Sequence, residues 1–158
     1  MSVSAPGSIL IRTQALTVLQ RVLAAALPSE GCALLLGEIG GAAAAPPDPG
    51  RWWLQRVWPC LNVWEPPGER CRRFAIDPRE QLLAQRWGRE RGLQVLGSAH
   101  SHPLSPARPS ARDHALAFTP CLQLILSPIE DWAPHCWWLE GGAAGAASSR
   151  PLPWTMED

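Results

Sequence analysis

The sequence of 158 residues is 46% hydrophobic and 18% charged, which is typical of a globular domain and not of a disordered chain. Its length predicts one domain with a hydrophobic core of its own. Its 14 basic residues, all arginines, balance 14 acidic residues, so the formal net charge is +0. Because a neutral chain has no general attraction for polyanions, we expect neither nucleic acid nor an anionic membrane as a partner.

Targeting signals and disulfides are not indicated either. The amino-terminal residues lack the basic stretch and apolar core of a secretory signal, and no apolar run approaches the ~18 residues of a membrane span. The five cysteines are widely spaced and include no Cys-x-x-Cys pair, which argues against a disulfide framework and a thiolate metal site. We therefore expect free thiols in a cytoplasmic protein that is a monomer or a weak dimer.

The first half of the chain predicts four strands and one helix. Leucines recur at helical spacing over residues 13–27, and Pro28 ends the pattern. Residues 40–50 are rich in Ala, Pro and Gly and predict a flexible loop. Strands are predicted at residues 8–11, 32–36, 51–60 and 72–76.

A second helix starts at residues 77–80, where an aspartate that can cap precedes a proline suited to the first helical position and a glutamate that completes a capping box. Leu83 and Trp87 are predicted to face inward from this helix, which ends near Gly92. Further strands are predicted at residues 93–102, 122–126 and 136–139, and a short helix at residues 110–117.

Alternating strands and helices predict the α/β (α+β) class, with helices packed on a mixed sheet. We expect residues 1–140 to form the domain, and residues 141–158 to be a low-complexity linker and carboxy-terminal tail.

The stretches His100-Ser101-His102-Pro103 and Ser110-Ala111-Arg112-Asp113 are the most informative part of the chain. Side chains two apart in a strand share a face, so both histidines can contact one metal ion. Asp113, one turn into the following helix, can direct its carboxylate to the same ion. Two nitrogens and one oxygen leave the fourth tetrahedral position of a zinc ion to water, whose pKa falls to about 7 when bound.

Each part of this pattern also has a simpler interpretation. Ser110-x-x-Asp113 is a helix-capping pattern, and a His-x-His pair taken alone is more often incidental than metal-binding. Their joint occurrence in this order favours a metal site. His114 and His135 lie outside the pattern, and we expect the first on an outer helix surface and the second at a strand edge.

Together the two stretches resemble the JAMM motif, His-x-His-x7-Ser-x2-Asp, of the MPN+ (Mov34/MPN/PAD-1) zinc metallopeptidases. Residues 28–37 are similar to the family's glutamate-bearing segment, with Ala33 where members commonly have glycine, and residues 62–78 to a third piece. The resemblance covers residues 9–139, and the size resembles the stand-alone prokaryotic members. It implies a single MPN/JAB-type domain whose mixed, curved β-sheet is flanked by helices in cytidine-deaminase-like layering.

The resemblance also implies roles for individual residues. His100, His102 and Asp113 would bind one Zn²⁺ ion, and Glu30 would deprotonate the zinc-bound water and pass the proton to the leaving amine. Ser110 would donate a hydrogen bond to the oxyanion of the tetrahedral intermediate. Asn62 is a candidate for ordering a loop or supporting the ligands, or else is a turn residue without such a role.

The implied reaction is hydrolysis of a peptide or isopeptide bond at the C-terminal tail of a ubiquitin-like or sulfur-carrier β-grasp protein. We expect that tail to add to an exposed strand edge near the zinc. Two alternatives stay open, a non-catalytic MPN scaffold that assembles complexes and a zinc hydrolase of small amides. Scaffold members usually lack the zinc ligands, whereas the fixed residues of the motif are all present here.

Overall fold

The computed structural model describes residues 3–40, 48, 50–141 and 148–158. In these residues the helices are α1 (Thr13–Ala25), α2 (Pro78–Arg89) and α3 (Ala111–Leu116). The strands are β1 (Ser8–Arg12), β2 (Cys32–Ile39), β3 (Arg51–Cys60), β4 (Gln94–Ser101), β5 (Cys121–Leu126), β6 (His135–Glu140), β7 (Ser148–Leu152) and β8 (Trp154–Glu157). Short 3-10 helices lie at Pro67–Glu69 and Pro128–Glu130.

These strands form one mixed sheet in the order β7-β6-β5-β4-β2-β3-β1-β8. β1 runs parallel to β3 and β8, and β4 runs parallel to β5, while the other neighbours are antiparallel. β4 is therefore a central strand, and the free edges belong to β7 and β8, at least three strands away. Both sides of β4 are already paired, so β4 itself offers no edge, and the addition of a substrate tail to a strand near the site stays a prediction.

Helices cover both faces of the sheet. The hydrophobic core lies between α1 and one face, and it includes Leu23 of α1 and Leu35 of β2. On α2, a Cβ added at Gly88 would lie 3.1 Å from the side chain of Leu36 and 2.9 Å from the carbonyl oxygen of Leu93. Leu35 and Leu36 are neighbours in β2, so their side chains point to opposite faces of the sheet. The helices that contact them, α1 and α2, therefore pack on opposite faces. The α/β class with a mixed sheet flanked by helices is confirmed.

The inward face of α2 differs from the prediction. Leu83 is 51% exposed, whereas Ala84 is fully buried and Gly88 is buried. The prediction for Leu83 is wrong because α2 approaches the sheet so closely that only small residues fit at the contact. Trp87 is half-buried and packs edge-on against Trp58, with ring centroids 6.0 Å apart.

The strand predicted at residues 72–76 is not formed. The side chain of Asn62 forms hydrogen bonds with backbone groups that would otherwise pair with a neighbouring strand. The Oδ1 atom of Asn62 accepts from the backbone N–H of Ala75 at 3.2 Å, and its Nδ2 donates to the carbonyl oxygen of Arg73 at 2.8 Å. The segment is therefore held in an irregular conformation by one amide.

The carboxy-terminal residues predicted as a tail add two strands to the sheet. β7 pairs with β6, and β8 pairs with β1. Leu152 is buried and Trp154 packs against the core, so these residues contribute apolar contacts as well as backbone hydrogen bonds. Most of the loop predicted at residues 40–50, and residues 142–147 of the low-complexity segment, lie outside the described residues.

All five cysteines are free thiols, as predicted. Burial raises the pKa of both Cys32 and Cys136 to about 12, so these thiols stay protonated at neutral pH. In the part of the chain that the structure describes, no helix is both long and apolar enough to cross a membrane.

Candidate metal centre

Two histidines mark the carboxyl end of β4. His100 lies within the strand, in register with Cys32 of β2 and Ile125 of β5. His102 follows the last strand residue, and its backbone N–H donates to the carbonyl oxygen of Leu126 at 3.0 Å. The pairing with β5 therefore continues through His102, and the two buried imidazoles share one face of the sheet.

Asp113 is brought to these histidines by the start of α3. Ser110 is the N-cap, and its Oγ accepts a hydrogen bond from the backbone N–H of Asp113 at 3.1 Å. In return, Oδ2 of Asp113 accepts from the backbone N–H of Ser110 at 2.8 Å. The carboxylate of Asp113 both completes the capping box and faces the histidines. Helix capping and metal binding, the two interpretations of the Ser-x-x-Asp pattern, are therefore compatible.

The three side chains converge at the spacing that a tetrahedral metal ion requires. The Nε2 atoms of His100 and His102 are 3.1 Å apart, and they lie 3.3 Å from Oδ1 and 3.3 Å from Oδ2 of Asp113, respectively. Ligands about 2.0–2.1 Å from a tetrahedral zinc ion are separated by roughly 3.3 Å from one another. Two imidazole nitrogens and one carboxylate are also a donor set that zinc accepts. The residues present therefore fit one metal ion, and the site is buried.

Each imidazole is held by a different contact. The Nδ1 atom of His102 lies 2.9 Å from the carbonyl oxygen of Pro106, which can only accept, so Nδ1 carries the proton and Nε2 keeps its lone pair for a metal. His100 is stacked on Phe74, with ring centroids 4.5 Å apart. Its Nδ1 atom is buried without a partner in the described residues.

The loop that supplies Pro106 is fixed by two residues that follow β5. The backbone N–H of Ala107, which is buried, donates to Oε1 of Glu130 at 2.7 Å. Its carbonyl oxygen accepts from the indole N–H of Trp137 at 3.0 Å. Glu130 and Trp137 are not predicted as part of the site, because no spacing pattern relates them to the histidines.

Glu30 lies beside the cluster, immediately before β2. Glu30 is 6% exposed, and its backbone N–H donates to the carbonyl oxygen of Arg70 at 2.7 Å. Its side chain lines a cavity of about 470 Å³. His102 and Ser110 line the same cavity. The structure thus brings together the five residues that the motif predicts.

Burial and the two imidazoles together set the pKa values of the two carboxyl groups at the site, Asp113 and Glu30. Burial opposes ionisation of Asp113, but hydrogen bonds with His100 and His102 outweigh it and hold the pKa of this carboxyl well below its usual value. For Glu30, burial is the largest influence and leaves the pKa raised, although the nearby imidazoles and Arg112 act in the opposite direction. Asp113 is therefore a charged ligand, and Glu30 is a carboxylate more basic than one in water.

Asn62 orders the loop around Glu30. Its Nδ2 donates to the carbonyl oxygens of Glu30 at 3.0 Å, Arg70 at 3.4 Å and Arg73 at 2.8 Å. Its Oδ1 accepts from the backbone N–H groups of Trp64 at 3.1 Å and Ala75 at 3.2 Å. Of the alternatives left open for this residue, loop ordering is confirmed.

The other two histidines take no part in the cluster. His114 is half-buried, and its Nε2 has no partner in the described residues, so the expected outer-surface position is wrong. His135 begins β6 and lies 3.2 Å from Oε2 of Glu130, the residue that binds Ala107.

The protein is thus a mixed α/β domain in which two histidines at the end of a central strand and one aspartate form a buried site. The family described as prokaryotic homologs of the JAB domain matches residues 13–143. This match covers most of the chain, and the protein belongs to that family.

Two solved structures are similar over nearly their whole lengths. The solution structure of a protein from Desulfitobacterium hafniense is 31% identical with a TM-score of 0.76, over 95% of this chain and 93% of that one. The solution structure of a protein from Salinibacter ruber is 28% identical with a TM-score of 0.62, over 94% and 91%. Comparison with the curated proteins found no match.

Proposed function

We propose that this protein is a cytoplasmic zinc metallopeptidase that hydrolyses a peptide or isopeptide bond at the C-terminal tail of a ubiquitin-like or sulfur-carrier β-grasp protein. The observation that carries this proposal is the convergence of His100, His102 and Asp113, whose two Nε2 atoms lie 3.1 Å apart and each lie 3.3 Å from a different oxygen of the carboxylate. The presence of Glu30 and Ser110 on the wall of the adjoining cavity supports catalysis over scaffolding.

His100, His102 and Asp113 would hold the zinc ion. When bound, zinc supplies Lewis acidity, which polarises the scissile carbonyl and makes water acidic enough to attack at neutral pH. The hydrogen bond from Nδ1 of His102 to Pro106 and the capping box of Asp113 keep these ligands oriented, so little reorganisation accompanies the reaction.

Glu30 is the general base and then the general acid. Its carboxylate takes a proton from the attacking water and returns it to the nitrogen of the leaving amine. Burial makes this carboxylate more basic than one in water, which favours proton transfer near neutral pH. Asn62 and Arg70 hold the Glu30 backbone through its carbonyl and amide groups, which fixes the point from which its side chain extends into the cavity.

Ser110 stabilises the negative oxygen of the tetrahedral intermediate. Its Oγ uses one lone pair to accept from Asp113, and this leaves the hydroxyl hydrogen free to donate. Ser110 is exposed on the cavity wall, where it can reach a bound amide. A donor fixed where charge develops lowers the barrier more than it strengthens substrate binding.

The test is cleavage of a carrier protein whose tail is extended by a reporter segment. The zinc-loaded protein is incubated with a purified β-grasp carrier, and intact masses are recorded over time. We expect loss of the segment after the carrier tail, with no loss for Glu30→Gln, which keeps the zinc ligands. A protein that holds zinc and leaves every carrier intact would favour the scaffold function.

A further inference from the structure

The two imidazoles of the metal centre differ in how the protein orients them. The Nδ1 atom of His102 lies 2.9 Å from the carbonyl oxygen of Pro106. The Nδ1 atom of His100 is buried and has no partner in the part of the chain that the structure describes. A histidine that binds a metal usually donates from its second ring nitrogen, and that bond holds the ring in the orientation that the ion needs. The plane of His100 therefore depends on a different contact.

Phe74 supplies that contact. Its ring is stacked on the imidazole of His100, with the centroids 4.5 Å apart and the planes inclined by 21°. Aromatic rings attract each other at this separation. Rotation of the imidazole about its bond to Cβ would push an edge of the ring into the face of Phe74. The stack therefore restrains the plane of His100, while its Nε2 atom lies 3.3 Å from Oδ1 of Asp113.

The position of Phe74 is not a by-product of core packing. Among the described residues, neither the buried hydrophobic core nor the partly buried side chains packed against it include Phe74. This residue is half-buried, and it lines a narrow cleft together with Glu30 and Asp113. Its ring therefore packs at the metal centre and not in the core.

Asn62 sets the position of Phe74 from both sides. Its Nδ2 donates to the carbonyl oxygen of Arg73 at 2.8 Å, and its Oδ1 accepts from the backbone N–H of Ala75 at 3.2 Å. These two residues are the chain neighbours of Phe74. The same Nδ2 also donates to the carbonyl oxygen of Glu30 at 3.0 Å. One amide thus holds both the backbone of Glu30 and the backbone that carries the aromatic ring.

We infer that Phe74 is a positioning residue for the metal centre, which orients His100 by stacking, and that Asn62 acts on the metal through Phe74. The inference rests on the metal site of the proposed function and is independent of its substrate. A ring that is already held in place loses little freedom when an ion binds, so the stack raises the affinity for the metal.

The first test is zinc affinity, measured by competition with a chromophoric chelator on protein stripped of metal. Phe74→Leu and Phe74→Met, which fill the space without a flat face, should each bind zinc about three- to tenfold more weakly. Phe74→Tyr keeps the ring and should retain the wild-type affinity. Trp87→Leu is the control, because it removes a half-buried aromatic side chain that packs against Trp58 of β3. It should lose stability and keep its zinc affinity.

The second test is made without zinc. In the metal-free wild type, the ring current of Phe74 should shift the ring-proton NMR signals of His100 upfield, and Phe74→Leu should remove this shift. A wild type without the shift, or a folded Phe74→Leu or Phe74→Met protein with wild-type zinc affinity, would overturn the inference and leave the metal site intact. A wild type that takes up no zinc would overturn the metal site itself, and the inference with it.

A double-mutant cycle tests the part assigned to Asn62. Asn62→Ala should weaken zinc binding about as much as Phe74→Leu, and the double variant should bind no more weakly than either single variant. Asn62→Ser, whose hydroxyl can keep one of the bonds, is measured beside it and should lose less. Losses of affinity that multiply in the double variant, or full affinity in both Asn62 variants, would contradict the action of Asn62 through Phe74.

Discussion

The imidazole of His102 donates from Nδ1 to the carbonyl oxygen of Pro106 at 2.9 Å, and this bond decides which nitrogen faces the metal centre. Pro106 is held in place through the next residue, Ala107, whose two backbone groups bond to Glu130 and Trp137. Orientation of a metal ligand therefore depends on Glu130 and Trp137, two residues that follow β5 in the chain.

Glu130→Ala should weaken both the metal site and the fold. The buried N–H of Ala107 loses its acceptor, which we expect to cost about 1–3 kcal/mol in the free energy of unfolding. Zinc affinity, measured by competition with a chromophoric chelator, should fall about tenfold or more because His102 is less well oriented. Glu130→Gln keeps an oxygen acceptor and serves as the control. If Glu130→Ala binds zinc as tightly as the wild type, the loop that contains Pro106 and Ala107 does not orient His102.

Ser110→Ala should separate capping from catalysis. Loss of the capping acceptor costs about 1 kcal/mol of stability, whereas loss of an oxyanion donor lowers kcat by ~10²–10³. Ser110→Thr keeps a hydroxyl at the N-cap and should retain most of the stability and most of the kcat. Zinc content is measured alongside kcat, because the capping box also holds Asp113. A zinc-replete Ser110→Ala protein with unchanged kcat would exclude the serine from the reaction.

Asn62→Ala should destabilise the protein and reduce turnover together, because three carbonyl oxygens and two backbone N–H groups lose their partner. We expect a loss of about 2–4 kcal/mol in urea unfolding. Asn62→Asp is the matched variant, since it keeps the acceptor and replaces the donor by an anion facing three carbonyl oxygens. It should be at least as unstable as Asn62→Ala. Full stability of Asn62→Asp would show that the donor bonds contribute little.

The cysteines should differ in reactivity at neutral pH. Cys32 and Cys136 are buried with their pKa raised to about 12, so little thiolate is present. Cys71 is half-buried on the cavity wall and should react first with iodoacetamide, as mapped by peptide mass spectrometry. The added group would obstruct the cavity, so turnover should fall with labelling and Cys71→Ser should be protected. Labelling of Cys136 before Cys71 would contradict the burial of Cys136.

Local patterns predicted the parts of the molecule that local contacts determine. The helix start at residues 77–80 depends on neighbouring residues, and Asp77 accepts from the N–H of Arg79 at 2.9 Å as expected. The capping box predicted for Glu80 is not formed, because its Oε2 accepts from the indole N–H of Trp58 at 2.7 Å. The His-x-His pair follows from the two-residue period of a strand, which places His100 and His102 on one face.

Features that depend on distant contacts were not predicted. Residues 148–157 contain little of the β-branched pattern of a strand, and they become strands because β6 and β1 offer free edges. Leu83 has the spacing of an inward residue, but the close approach of Gly88 to β2 sets the rotation of α2. Glu130 and Trp137 reach the metal centre through a loop, and no sequence period encodes that contact.

Zinc binding by the purified protein tests whether His100, His102 and Asp113 form one metal site. Protein stripped with a chelator is dialysed against zinc, and metal content and unfolding temperature are recorded for the wild type, His102→Ala and Glu30→Gln. We predict one zinc ion per chain and a higher unfolding temperature with zinc for the wild type and Glu30→Gln, and neither for His102→Ala. A wild-type protein that takes up no zinc, or a His102→Ala protein that binds it equally well, would show that these three residues do not form a zinc site.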